Sequence, residues 1–251
     1  MNFNFSSLVN PPYNPTDQST ARFSSAQWFT FVQSTRVTIA GVGGIGSWLA
    51  LMIARLNPAA LVLVDDDMVD FSNMAGQLFS RDSIGTKKVN AVARMIETFA
   101  GYARVQACDQ KLTSDTSVPA ILMCGFDNMA ARRAAYNAWK RKVAETPEAE
   151  RGRCLFIDGR LSAETLQVFC ITGDAPYYMT AYERDWLFSD EEAESTVCSY
   201  KQTSYCANLI GSIITNLFVN WCTNQCSPLV DRSLPFMTEY SAEQMYLKSE
   251  V

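Results

Sequence analysis

Glycines at 41, 43 and 46 stand at G-x-G-x-x-G spacing, the first pattern in the chain that implies chemistry. A β-branched run, Val37-Thr38-Ile39, leads into them. Apolar residues at Ile45, Trp48, Leu49, Met52, Ile53 and Leu56 follow at helical spacing. In a strand, tight turn and helix, such glycines bind phosphate: the first makes the turn, the second admits backbone to the anion, and the third lets the helix close on the strand. The helix N-terminus adds free N–H groups and partial positive charge. Asp65, 24 residues past Gly41, ends the next apolar run, where a carboxylate accepts from ribose hydroxyls. These residues alone point to a nucleotide without saying which. An NAD-dependent oxidoreductase fits them, and a glycine turn that binds nothing is the plain alternative.

Composition narrows the chemistry. The chain has no histidine, which removes Ser-His and Cys-His nucleophiles, imidazole bases and His-bound metal. Its net charge of −5 argues against nucleic acid or an anionic membrane as partner. No apolar run approaches the ~20 residues of a membrane span, and the N-terminus lacks the basic start and apolar stretch of a signal peptide. Eight cysteines in 251 residues are too sparse for a disulfide scaffold. Cys108, Cys124, Cys154 and Cys170 sit in apolar runs and read as core. Cys222 and Cys226 have three residues between them and no second pair, so no zinc is expected. A cytoplasmic setting fits best.

The elements that must position these groups alternate. Strands are expected at 37–40, 61–64, 103–108, 120–124 and 154–157. Helices are expected at 85–99, with Val89, Val92, Ile96 and Phe99 on one face, at 129–140 and at 206–222. Residues 24–32 are read as a short helix over the sheet edge or a partner. Residues 71–83 read as a loop, 164–172 as an alternating strand, and 173–196 as a long loop. One more strand is expected in the tail from 228. The fold class is α/β: a doubly wound, Rossmann-like, mostly parallel sheet with added antiparallel strands toward the C-terminus. One domain is expected over 1–251, with an N-terminal arm at 1–33, a nucleotide-binding half at 36–141 and an acceptor-binding half at 154–251.

Beyond the glycines, four motifs agree in order. Asp65-x-Asp67-x-Val-x-x-Ser-Asn73-x-x-x-Gln77 comes first, then Ile84-Gly85-x-x-Lys88-Val, then Cys-Gly-Phe-Asp127-Asn128, and last the late helix 198–220 with Gly211. Together they resemble the ubiquitin-activating-enzyme-like adenylating superfamily that includes ThiF, MoeB and HesA. The resemblance covers residues 36–133 well and the late helix weakly. It implies an adenylyltransferase that uses ATP and Mg²⁺, with Gly41, Gly43, Gly44 and Gly46 as the phosphate turn and Asp65 as the ribose ligand. By the same resemblance Asp67 joins the nucleotide site, Asn73, Gln77 and Lys88 surround the triphosphate, and Asp127 organises Mg²⁺. Its implied partners are a small ubiquitin-like or sulfur-carrier protein and a second copy of the chain as homodimer. The attacking carboxylate is already ionised, so a histidine-free site is no handicap for making an acyl-adenylate.

One departure stands out: the family usually has arginine where this chain has Gly76. Arg81 and Arg22 are candidates to supply that charge, though both are also ordinary surface arginines. Without either, a nucleotide-binding scaffold with weak or no turnover is the alternative. Cys198, 13 residues before Gly211, is the candidate for a covalent thiol step, with a plain loop cysteine as the alternative. The other residues also have bland readings. Asp127 can be only a helix N-cap, Lys88 a solvated first-turn lysine, Asp66 and Asp67 the hydration of a strand end, and Asn73 and Gln77 loop polars. Residues 164–188 and the tail are expected to grip the acceptor.

Overall fold

The computed structural model describes residues 18–188 and 202–250. Eight strands form one sheet in the order β3-β2-β1-β4-β5-β6-β7-β8. The strands are β1 (Arg36–Ala40), β2 (Ala60–Val64), β3 (Val105–Cys108), β4 (Ile121–Cys124), β5 (Leu155–Ser162), β6 (Thr165–Thr172), β7 (Met237–Ser241) and β8 (Tyr246–Glu250). The first five pair in parallel, and β5 through β8 pair antiparallel.

Parallel strands buried on both faces are near-continuously apolar, and β2 and β4 are buried at every position. Side chains alternate between the two faces. Val37, Ile39, Leu61, Leu63 and Met123 face α2 (Gly44–Arg55), α3 (Lys88–Ala100) and α6 (Ser204–Asn224). Val62, Val64, Leu122, Cys124 and Phe156 face α4 (Met129–Glu145) and Tyr182. The expected doubly wound sheet is therefore present, with its antiparallel extension.

Several boundaries differ from the sequence reading. The helix expected from Gly85 starts at Lys88, because Gly85 takes a φ of +78° and ends a turn. Phe99, placed on its buried face, is exposed, while Val89, Val92 and Ile96 are buried. The segment from 173, expected to be a loop, carries α5 (Pro176–Ala181), which continues into a π-type turn at Tyr182–Trp186. Pro176 stands in its first turn, where proline's missing N–H costs nothing, and fully buried Tyr182 anchors it. These pieces are too short to show periodicity. The tail holds two strands, β7 and β8, joined by a tight turn with Met245 at positive φ. The short helix α1 (Phe29–Ser34) packs on α6 through an edge-to-face contact of Phe31 with Trp221, rather than on the sheet edge. Strand β6 lies between β5 and β7 with residues 168–171 buried, so it offers little surface for an acceptor. Among the described residues, no helix is long and apolar enough to cross a membrane.

Candidate nucleotide site

The chain leaves β1 toward β2 on one side, while β4 lies on the other. That reversal opens a crevice at the carboxyl ends of the strands, where open α/β sheets bind ligands. Gly41 sits at its floor with φ +79°, and its N–H continues the ladder to Val64 O at 2.9 Å. A Cβ on Gly46 would lie 2.0 Å from Gly41 O, so this glycine lets α2 close on the turn. The N-cap of α2 is Gly43, which has no side chain to satisfy the first-turn N–H groups. By contrast, α4 is closed at its start: Asn128 Oδ1 accepts from Ala131 N at 2.8 Å. Helix α2 thus presents an open, anion-ready end.

The loop bearing Gln77 is pinned to α2. Leu78 N donates to Ser47 Oγ at 3.0 Å, and Trp48 Nε1 donates to Gly76 O at 3.2 Å. This sets the Gln77 amide 3.6–3.7 Å from where a Gly43 Cβ would stand. Gln77 Oε1 is buried and has no hydrogen-bond partner among the described residues. A buried polar atom left unpaired costs about 1–3 kcal/mol, so an orphan beside an open helix end fits a polar ligand. Gly44 and Gly76 both face Gln202; a Cβ would fall 1.8 Å from Gln202 Oε1 at Gly44 and 2.9 Å from its Cγ at Gly76. Gln202 thus fills the space that a side chain at 76 would need.

Asp65 is fixed by its backbone neighbours, accepting from Val42 N at 2.8 Å and Asp67 N at 2.9 Å. Desolvation by burial pushes its pKa up, against the lowering effect of those N–H groups and of Lys88. Lys88 is only 8% exposed. Its Nζ donates to Asp67 Oδ2 at 2.8 Å, and its N–H donates to Asp67 O at 3.0 Å. The reading of Lys88 as a solvated lysine is therefore wrong. Carboxylate oxygens of Asp65, Asp66 and Asp67 lie within 4.8 Å of one another, a group able to hold a cation. Lys87 Nζ already donates to Asp66 O at 2.8 Å and pairs with Asp109 at 2.9 Å.

Asp127 follows β4 at the same end of the sheet, exposed, with Asn128 Nδ2 donating to it at 3.2 Å. It is not the N-cap of α4; Asn128 is. Asn73 Oδ1 accepts from Asp70 N at 2.9 Å, closing a capping box on the 3₁₀ turn Phe71–Asn73. Arg81 is exposed, with its guanidinium 6.0 Å from the Phe71 ring centroid, and Arg22 is an exposed turn residue. Cys198 lies outside the described residues. Burial pushes the thiols of Cys124, Cys154 and Cys222 up, and that of Cys170 up to about 12, leaving them inert at neutral pH. Cys206 is buried in α6.

Sequence reasoning missed one polar cluster. Asp158, fully buried at the end of the apolar half of β5, accepts from Arg132 Nη1, from Arg160 Nε at 2.8 Å and from Tyr182 OH at 2.8 Å. Arg132 also donates to Gly159 O at 2.9 Å and to Phe126 O. A signal was present. Arg132, Ala135, Tyr136 and Trp139 share the inner stripe of α4, and an aspartate ends a buried strand.

The class that the fold defines is an open α/β sheet with a glycine turn at its switch point, where a lysine and acids stand beside an uncapped helix. The ThiF family model matches residues 21–248, and the chain belongs to the ThiF family. It is 31% identical over 97 residues to tRNA threonylcarbamoyladenosine dehydratase of Escherichia coli K12, covering 38% of this chain and 36% of that protein. It is 34% identical over 83 residues to ubiquitin-like modifier-activating enzyme 5 of Drosophila virilis, covering 33% and 21%. The matches therefore span about a third or less of these relatives' lengths. Among solved structures, PaaA superposes with a TM-score of 0.65 at 17% identity, over 89% of this chain and 66% of that one. MccB of E. coli with ATP gives 0.63 at 13% identity, over 89% and 65%. TcdA of E. coli gives 0.61 at 16% identity, over 83% and 94%. At these identities the superpositions establish the fold.

Proposed function

We propose that the chain is an ATP- and Mg²⁺-dependent adenylyltransferase acting on the C-terminal carboxylate of a small protein or peptide, a ubiquitin-like or sulfur-carrier protein first among them. The observation that carries this is the open N-terminus of α2, with orphaned Gln77 Oε1 on one side and Lys88 close by on α3. Two similar proteins, a ubiquitin-like modifier-activating enzyme and MccB with ATP, point the same way.

In this reading α2 N–H groups and Lys88 hold phosphate oxygens, Asp65 accepts from the ribose, and Asp127 holds the magnesium ion. Magnesium, when bound, neutralises charge on the phosphates. The acceptor's carboxylate oxygen bonds to the α-phosphorus, the bond to the β-phosphate oxygen breaks, and pyrophosphate leaves with the electron pair. Lys88 gains most as that charge grows, because its partner Asp67 is largely exposed and can turn to water. Arg81 or Arg22, Asn73 and Cys198 enter this reading as further candidates, the last for transfer to a thiol. We assign residues 36–141 to the nucleotide and 154–251 to the acceptor, within one domain that works as a homodimer in the cytoplasm.

ATP–pyrophosphate exchange with purified protein and candidate carriers tests the reading. Mg²⁺-dependent exchange with one carrier, lost in Lys88→Ala, is the expected result. A second reading, a nucleotide-binding scaffold, is favoured by one observation: position 76 carries no cationic side chain, and the Gln202 side chain occupies the space beside it. ATP binding with no exchange for any carrier would select it. An NAD-dependent oxidoreductase accounts only for the glycines and Asp65, and a thermal shift with NAD but none with Mg·ATP would be needed to revive it.

A further inference from the structure

The buried cluster around Asp158 touches the Asp127 turn through Arg132. We propose that Arg132, held in place by Asp158, is the positioning residue that fixes the backbone of the Asp127 turn; the proposal rests on the reading of Asp127 as the magnesium residue.

The turn 125–128 is tied down at three points. At its start Gly125 N donates to Ala40 O at 3.0 Å, joining it to β1. At its end Asn128 caps α4. In the middle Arg132 Nη2 donates to Phe126 O, the carbonyl of the peptide whose nitrogen belongs to Asp127. That peptide plane decides where the Asp127 side chain departs. Asp127 itself is exposed, and among the described residues its side chain accepts from its neighbour Asn128. Its carboxylate is thus left to a ligand while its backbone is held from behind.

The holding group is over-determined. A guanidinium is a planar fork, so fixing one nitrogen fixes the direction of the others. Arg132 Nη1 is fixed by Asp158 Oδ1 and Gly159 O. Asp158 is oriented in turn by Arg160 Nε and Tyr182 OH on its other oxygen. Arg160 is itself placed by Trp186 O at 2.9 Å and lies 4.7 Å from the Phe169 ring centroid. The chain of contacts also reaches the glycine turn: a Cβ on Gly41 would lie 3.0 Å from Phe126 Cδ1, so the held turn wedges against it. A salt bridge serving stability alone has no need to reach Phe126 O, and Tyr182 supplies the contrast, since it bonds Asp158 without touching the turn.

The test compares Arg132→Lys, which keeps the charge but loses the fork, with Tyr182→Phe, which loses one Asp158 hydrogen bond and leaves Arg132 intact. Two readouts are taken on folded full-length protein: hydrogen exchange of the peptide spanning 125–128, and Mg²⁺ titration of non-hydrolysable ATP analogue binding by calorimetry. Loss of a group that orients a metal ligand costs roughly 10–100-fold in metal affinity. Arg132→Lys should speed exchange at 125–128 and raise the Mg²⁺ half-saturation by about tenfold or more, and Tyr182→Phe should do neither while lowering the melting temperature. Wild-type exchange at 125–128 in Arg132→Lys, or faster exchange with unchanged Mg²⁺ dependence, overturns the proposal. If Arg132→Lys does not fold, Asp158→Asn, which keeps the shape, replaces it with the same criteria. Wild-type protein that binds no analogue sinks the nucleotide reading instead; the proposal falls with it, and the exchange data show separately whether Arg132 anchors the turn.

Discussion

Asp67 and Asp158 are each paired with a basic side chain, yet the two regions use charge in opposite ways. At the crevice, Asp67 is 66% exposed and, among the described residues, its side chain pairs with Lys88, so water can take the lysine's place. Behind it Asp158 has no exposure and every contact is protein, with two guanidiniums and a phenol sharing one carboxylate. The first pair is held loosely enough to exchange partners. The second is saturated and dry, where leaving either charge alone is expensive. On the proposed reading, the crevice pair faces the ligand and the buried cluster holds the backbone that presents it.

The largest effect that can break this contrast is on stability. Asp158→Ala should cost about 3–5 kcal/mol by stranding buried Arg132 and Arg160, while Asp67→Ala, which removes an exposed carboxylate and leaves one lysine, should cost less; urea unfolding of both variants measures the gap. Equal losses would end the comparison. Next comes turnover. Lys88→Ala should lower exchange activity roughly 10²–10³-fold and leave the unfolding midpoint closer to wild type than Asp158→Ala does, as read by pyrophosphate exchange beside thermal melts.

A smaller effect separates the two glycines of the turn. Gly46→Ala drives a Cβ into the backbone oxygen of Gly41, which cannot yield, and should cost about 1–3 kcal/mol. Gly44→Ala meets only the amide end of the Gln202 side chain, which can swing aside, so its melting temperature should fall less. The smallest effect is in pH. Burial raises the pKa of Asp65 above the ordinary aspartate value of 3.8, so its ionised form is disfavoured in the folded state. Folding therefore gains as pH falls through the raised value toward 3.8, and wild type should gain on Asp65→Asn over that window. Melts of both proteins from pH 7 to pH 4 check the sign.

The crevice was legible in the sequence because its parts are local. A glycine turn, the apolar run before it and the helical stripe after it all fall within residues 36–56, and each rule of strand, turn and helix agrees. The Asp158 cluster was not legible because its members come from β5, α4 and the turn after α5, far apart in sequence. Only the fold tells Arg132, which turns inward, from Arg133, whose side chain reaches Leu187 O and Phe188 O. Short elements escaped for another reason: α5 is too brief to show a period, and the packing of Tyr178 on Phe236 and of Tyr182 on Phe169 decides it and the turn after it, while β8 is exposed at every position and carries no apolar pattern. Phe99 shows the converse, an apolar residue on a helical face where the core has already ended.

The central claim, that the open end of α2 is where nucleotide phosphate rests, is tested most directly by a crystal structure with Mg²⁺ and a non-hydrolysable ATP analogue. The account predicts phosphate oxygens against the N–H groups of α2 beside Gln77, with Lys88 Nζ turned from Asp67 toward them. An empty turn at saturating analogue, or nucleotide bound away from the β1–β4 crevice, would contradict it.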